Sequence, residues 1–299
     1  MKLAALIATR SSIPLTRLSD DRELSVDVQN ELIRLGILDP PADGIFGSAS
    51  MLAIREFCLA AGLGTPANLD EAVASTLAGT AEETLFPVDP GDKLAGAIWS
   101  AMKEKKYWVA RVPGYVNIVY LEGANSDGSA NDNKPNGFND LRTVAMVQGG
   151  KFSIQGRWEG TTEPGKFYTE RPMVARGAAR IAFGQYKAWT VGTHGSATGA
   201  HEALVQSGEI RVHRDLNRDY MRDNDAVETG SSFAINQHWG YDLPVQDIGN
   251  ASAGCLVGRT REGHKKFMSI LKQDPRYKRN NGYRFLTTIL STEDIRPFL

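Results

Sequence analysis

The sequence predicts an α+β protein: a small N-terminal three-helix domain followed by a mainly β domain with a few helices. Three observations predict it. Leu24, Val28, Leu32 and Leu35 recur at helical spacing early in the chain. From Tyr107 the texture changes to short apolar runs broken by Gly, Asn and Asp, starting with Val116-Asn117-Ile118-Val119-Tyr120-Leu121. Between the two regions Glu82 to Gly91 is acid-containing and carries Pro87 and Pro90, which reads as a linker stiffened by its prolines. The expected boundaries are 18–80 for the helical domain, 81–106 for linker and one helix, and 107–299 for the β domain.

At 299 residues and 41% hydrophobic content, the chain is long enough to bury a core in each domain. Its 35 acidic and 34 basic residues nearly cancel and are interspersed, so no basic face is offered to nucleic acid or anionic lipid. No apolar run approaches membrane-spanning length, so no membrane span is expected. Leu3 to Ala8 has the look of a secretory leader, but six apolar residues before Thr9-Arg10 are too few and no small-residue cleavage site follows. The expectation is a chain without a clear signal peptide. Cys58 and Cys255 fall in different domains, which argues against a structural disulfide.

In the first domain, the helix through Leu24–Leu35 is closed by Gly36 in a C-cap role. Asp39-Pro40-Pro41-Ala42-Asp43-Gly44-Ile45-Phe46-Gly47 forms a compact turn, with Asp43 able to hydrogen-bond the turn backbone. Ser48 or Ser50 is the expected N-cap of the next helix, whose apolar face is read as Leu52, Ile54, Phe57 and Leu59, with Cys58 packing alongside. Leu94 to Lys106 reads as a further helix with a basic last turn that suits its dipole. Strands are then expected at Val116–Leu121, Thr143–Val147, Phe152–Gly156, Ala188–Thr193, Ile210–His213, Ser232–Asn236 and Tyr283–Leu290, with one helix at Thr260–Leu271. Asn125 to Asn133 is read as a mobile surface flap. The helix, Asp-Gly-Ile-Phe-Gly turn, helix arrangement, with Val28-Gln29-Asn30-Glu31-Leu32 and Leu35-Gly36, resembles the small three-helix peptidoglycan-binding domain. That resemblance implies affinity for the bacterial cell wall.

The chemistry-bearing stretch lies near the end. His238 follows the apolar run Phe233-Ala234-Ile235, and Cys255 stands at the mouth of Leu256-Val257 after Asn250-Ala251-Ser252-Ala253-Gly254. Cysteine attacks as its thiolate, and an imidazole that takes its proton makes that form available at neutral pH. Gly254 and Ala253 let the backbone turn sharply, so that neighbouring N–H groups can face a developing oxyanion. A cysteine in a small-residue turn is also a common core residue, and a strand-end histidine a common structural one.

Ser252-Ala253-Gly254-Cys255 preceded by His238 resembles the signature of the L,D-transpeptidase catalytic domain. By that resemblance Cys255 is the nucleophile, His238 the base, and Ser252 and Gly254 shape the turn. Ala253 replaces the family's second histidine, Trp239 follows His238, and Val257 stands where the family has arginine, with Arg259 its nearest substitute. The resemblance implies acylation of the cysteine by a peptidoglycan stem peptide, followed by transfer to an amine or to water. It needs no cofactor and no metal, and it sets the site of action at the cell wall, in the periplasm or as a released phage-type lysin.

Trp239, Arg259, His194 and Arg180 are the candidates for substrate binding, the arginines because a planar guanidinium recognises carboxylates bidentately. His194 is also the reserve candidate for the base. Two alternatives stand beside this reading. One is a non-catalytic peptidoglycan-binding protein, suggested by Ala253. The other is a metal-dependent murein peptidase using His194, His201 and Glu202, although no second close-spaced ligand pair supports a zinc site. Asp215 to Asp225 alternates like a calcium loop, but lacks its sixth-position glycine and closing glutamate, so Asx turns are the preferred reading.

Overall fold

The computed structural model describes residues 1–299 and is α+β. Its N-terminal part contains α1 (Leu3–Thr9), β1 (Ile13–Pro14), α2 (Arg22–Arg34), α3 (Ser48–Ala60), β2 (Asn68–Leu69) and α4 (Glu71–Gly79), with β1 and β2 paired antiparallel. Side-chain caps start two of these helices: Asp21 accepts from the Leu24 N–H and Asp70 from the Val73 N–H. Gly36, at φ +72, lies just past the end of α2. Neither Ser48 nor Ser50 caps α3; Gly47 is the N-cap, Ser48 begins the helix and Ser50 is buried.

The buried face of α3 is Ser50, Ala53, Ile54, Phe57 and Cys58, so Leu59 points to solvent and Leu52 is half-buried. An i, i+3, i+4, i+7, i+8 stripe satisfies the helical period, which the expected set with Leu52 and Leu59 did not. The core of this part begins at Leu3 and Leu6, well before residue 18, because α1 packs on α4 and α2. It also takes in Ala110, Val112 and Tyr115 from beyond residue 107.

The second part opens with α5 (Lys93–Glu104), followed by β3 (Val116–Glu122), β4 (Asp140–Gln148), β5 (Lys151–Thr161), α6 (Lys166–Glu170), β6 (Ala178–Ile181) and β7 (Gly184–His194). It continues with β8 (His201–Gln206), β9 (Ile210–Asp215), β10 (Ala226–Gly230), β11 (Gln237–Trp239), β12 (Leu256–Gly258), α7 (Arg261–Leu271), α8 (Pro275–Arg279), β13 (Phe285–Ser291) and α9 (Thr292–Ile295). Eight strands close a barrel in the order β11-β12-β5-β4-β3-β13-β7-β8, and β10-β9-β6 form a separate sheet. Two neighbouring pairs in the barrel are parallel, β11 with β12 and β13 with β3.

The expected strand at Ser232–Asn236 is not formed. Ala234 adopts φ +57, which breaks the extended run, and the strand starts at Gln237. The segment from Asn125 to Asn133 is tied down rather than free: Asp127 accepts from the Ser129 N–H at 2.9 Å, and Asn131 donates to the Asn139 carbonyl at 2.7 Å.

Buried charge joins the two parts. Asp39, from the turn after α2, faces Lys187 of β7 at 2.8 Å and Arg276 of α8 at 3.8 Å. Arg276 grips Asp274 at 2.6 Å and donates to the Val116 carbonyl, while Asp274 accepts the Val116 N–H. Trp108 and Arg111 add bonds to the Ile33 and Gly36 carbonyls. Arg276→Ala leaves Asp274 and Asp39 buried with this guanidinium gone, so folding stability is expected to fall by about 3–5 kcal/mol. Urea unfolding followed by tryptophan fluorescence reads this, and an unchanged midpoint would show that the junction contributes nothing. Arg276→Lys, which keeps the charge but loses the fork, is expected to fall between the two.

Candidate active site

The site is built where β11 and β12 run side by side, with Gln237 opposite Leu256, His238 opposite Val257 and Trp239 opposite Gly258. Cys255 stands one residue before β12. A tight turn delivers it there: the Ser252 hydroxyl accepts the Gly254 N–H at 3.1 Å and donates to the Cys255 carbonyl at 2.9 Å. Gly254 has φ +124, and a Cβ on it would lie 2.4 Å from the Ala179 carbonyl oxygen of β6. Only glycine fits between the turn and that strand.

The sulfur of Cys255 is hydrogen-bonded on both sides. It accepts the Asn236 N–H at 3.4 Å and donates to the Ala234 carbonyl at 3.6 Å, a carbonyl aimed by the left-handed backbone of Ala234. Burial pushes the thiol up to about 11, with the Asn236 N–H opposing. The Cys255 backbone N–H donates to no acceptor in the protein.

His238 is buried, and its Nδ1 lies 2.8 Å from the Trp239 carbonyl. A carbonyl only accepts, so Nδ1 carries the proton and Nε2 holds the lone pair. The ring stacks on His194 with centroids 3.8 Å apart and planes 7° apart. Burial, followed by the proximity of His194, holds His238 well below its ordinary value. No hydrogen bond joins His238 to the sulfur, yet both line one cleft of about 720 Å³, together with His194, Tyr168, Phe233 and Tyr241. At rest the site therefore pairs a neutral thiol with a neutral imidazole.

Four of the five histidines gather here. His201 stacks on Trp239 at 3.7 Å and lies 5.8 Å from His264. His264 accepts from Arg142 at Nδ1, 3.2 Å away, and donates from Nε2 to the Glu202 carbonyl at 2.9 Å. Burial and Arg142 lower His264 to about 3, so it too is neutral. No group of three or more His, Cys, Asp or Glu side chains converges to hold a metal ion. Glu202, the acid considered for a zinc site, is taken by Lys272 at 2.9 Å.

Of the proposed substrate-binding residues, only His194 lines the cleft. Arg180 is buried beneath it, bound to Glu122 at 3.0 Å, Glu163 at 3.1 Å and the Tyr220 carbonyl, so its fork is already occupied. Arg259 pairs with Glu159 and the Leu243 carbonyl outside the cleft. Trp239 is held against His201 instead of facing a ligand. In the Asp215–Asp225 loop, Asp215 accepts the Asp219 and Tyr220 N–H groups, Asn217 accepts that of Asp219, and Asp219 that of Met221.

Asn236 was missed by sequence reasoning. It bonds the sulfur through its backbone and His194 through its side chain at 2.9 Å. The available signal was its place two residues before His238, which puts both on one face of a strand.

The neutral pair sets the pH response. The folded thiol keeps its proton between its ordinary value of 9.0 and about 11, where the unfolded chain loses it. Its contribution to stability is thus full below pH 9.0 and declines as pH rises to 11. His238 and His264 contribute fully above 6.5 and lose that contribution as pH falls below it. At mildly alkaline pH, Cys255 of the folded protein is expected to be alkylated by iodoacetamide at least ~10-fold more slowly than a free thiol, with the rate climbing towards pH 11. Peptide mapping of the labelled protein reads this, and a rate equal to that of a free thiol would mean that the thiolate exists at rest.

No family model and no curated protein matches the chain. Among solved structures, a fused Zn-dependent amidase/peptidase/peptidoglycan-binding domain-containing protein from Clostridium acetobutylicum aligns over 94% of this chain and 99% of its own, at 9% identity and a TM-score of 0.29. A likeness at that level carries no argument about fold or activity.

Proposed function

We propose that the chain is a peptidoglycan-modifying cysteine enzyme, an L,D-transpeptidase-like acyltransferase or hydrolase acting on stem peptides at the bacterial cell wall, in the periplasm or as a released lysin. The observation that carries this reading is the convergence of Cys255 and His238, from adjacent parallel strands, on one cleft.

An amide carbonyl of the stem peptide enters the cleft, and Sγ attacks its carbon as the thiol proton passes to Nε2 of His238. Because the resting pair is neutral, proton transfer accompanies attack instead of preceding it. The carbonyl oxygen becomes an oxyanion, for which the unpaired Cys255 N–H is a donor. Collapse breaks the C–N bond, and the leaving amine takes the proton back from His238. The resulting thioester is then attacked by an acceptor amine, giving a crosslink, or by water, giving hydrolysis. His238 takes the attacking group's proton and returns it to sulfur.

The helical part supplies the second support. Asp43 accepts the Ile45 N–H and the Gln29 amide, both at 2.9 Å, and Gln29 in turn accepts the Gly44 N–H at 2.7 Å. The Asp-Gly-Ile-Phe-Gly turn is thereby rigid, with Ile45 67% exposed at its tip. In this reading the turn contacts the wall and holds the attached cleft near its substrate.

The test is incubation with muropeptides, followed by mass spectrometry. An acyl adduct on Cys255 is expected, and Cys255→Ser is expected to lower turnover by ~10³-fold or more while the full chain still sediments with sacculi. Cys58→Ser, in the buried face of α3, should act like the unaltered protein. Full activity in Cys255→Ser would remove the cysteine mechanism. Loss of turnover on addition of a chelator would favour the metal peptidase, and sedimentation without turnover the binding protein.

A further inference from the structure

The two stacked imidazoles are not equivalent, and their hydrogen bonds say how. The side-chain oxygen of Asn236 receives the backbone N–H of Gln206 at 2.9 Å. That N–H can only donate, so the amide oxygen must face it and the amide nitrogen must face His194. The Gln206 side chain reinforces the arrangement, accepting the Ile235 N–H and donating to the Gly230 carbonyl, both at 3.0 Å. The Asn236 amide therefore donates to Nδ1 of His194, which must be the unprotonated nitrogen, and the His194 proton sits on Nε2. In His238 the order is reversed, with Nδ1 protonated against the Trp239 carbonyl and Nε2 bare. One ring of the stack offers a lone pair and the other an N–H.

His194 is half-buried, lines the cleft, and its Nε2 has no partner in the protein. Its lone pair is already capped, so it cannot share the base role with His238. What it can do is donate. We infer that His194 is a second catalytic histidine, its Nε2–H a fixed donor to the substrate carbonyl oxygen as that oxygen becomes an oxyanion, with Asn236 the positioning residue that sets the tautomer. The inference rests on the reading proposed above and extends it: the oxyanion is met by a neutral imidazole N–H as well as by the Cys255 N–H. A neutral donor suits this place, because burial keeps His194 uncharged beside a base that must gain a proton.

Asn236→Asp tests it with little change of shape. A carboxylate still accepts the Gln206 N–H but faces His194 with an acceptor, so Nδ1 must carry a proton and, at a pH where the ring is neutral, Nε2 becomes a lone pair. ¹⁵N NMR of the histidine rings is expected to show His194 as the Nε2–H tautomer in the unaltered protein and as Nδ1–H in Asn236→Asp. Acylation of Cys255 by a muropeptide is expected to slow by ~10²-fold. His194→Phe keeps a flat ring against His238 and removes the donor without adding charge, so it should slow acylation by a similar factor. It also stands alone if Asn236→Asp fails to fold.

His194→Phe acylating at the unaltered rate would overturn the inference and leave the cysteine mechanism in place. An Nδ1–H tautomer in the unaltered protein would overturn the role of Asn236. Absence of any Cys255 adduct in the unaltered protein would remove the underlying reading, and the inference with it.

Discussion

The parallel pairing of β11 with β12 is the constraint on which the rest of the site depends. Each strand is three residues long, so few ladder bonds hold the register, and a one-residue slip would turn His238 away from the cleft. The register is held from inside the barrel. Gln237, fully buried, donates to the Thr287 hydroxyl at 2.9 Å and accepts from Tyr120 at 3.4 Å. A buried amide with these partners cannot move without leaving them unpaired. Because neighbours on a strand point to opposite faces, fixing Gln237 fixes His238 as well. On the other strand, Gly254 pressed against β6 and Ser252 bonded across the turn do the same for Cys255.

Burial then decides the electrostatics. The histidines are surrounded by rings and strands, and Arg142, the nearest buried cation, has no carboxylate partner. It lies 4.2 Å from the Phe267 ring centroid and bonds His264. A cation held this way disfavours any second positive charge nearby, which keeps His264 neutral and in one tautomer. His201 stacks on Trp239 and meets His264 edge-on. The site is thus a set of neutral rings whose proton positions are dictated by obligate donors and acceptors.

How much of this was legible in the sequence depended on segment length and on partners. The α2, α5 and α7 helices and strands such as β3 and β13 were readable because each carries enough periodic apolar residues to define its face. β11 and β12 are too short for any pattern, and β6 and β8 carry small or polar residues that blur the alternation. The His238 and Cys255 pairing was suggested by residue type and a family resemblance, while the closeness of His194 and His201 came from the barrel bringing β7 and β8 alongside β11. Arg180 and Arg259 illustrate the opposite failure. An arginine free to bind substrate and one consumed by Glu122, Glu163 or Glu159 are identical in sequence, and only the fold tells them apart. Leu3 and Leu6 in the N-terminal apolar run are core residues, a burial that a six-residue run does not reveal in the sequence.

The 3.8 Å stack also bears on how, in the proposed mechanism, a buried thiol near 11 would serve as a nucleophile. Were both rings of the stack protonated, their repulsion at an effective dielectric near 20 would be about 4 kcal/mol, enough to exclude the doubly charged state. At most one ring of the stack can therefore carry an added proton. With Nδ1 of His194 occupied by Asn236, the ring with a free lone pair is His238, the base of the proposed mechanism. A standing thiolate–imidazolium pair is disfavoured by the same burial, so in the proposed mechanism charge would appear only while substrate fills the cleft. In that mechanism a substrate filling the 720 Å³ cleft would displace water, and its developing oxyanion would meet N–H groups that need no reorientation. On the proposed mechanism, a site arranged in this way reacts slowly with small electrophiles in solution and faster with a carbonyl it has enclosed.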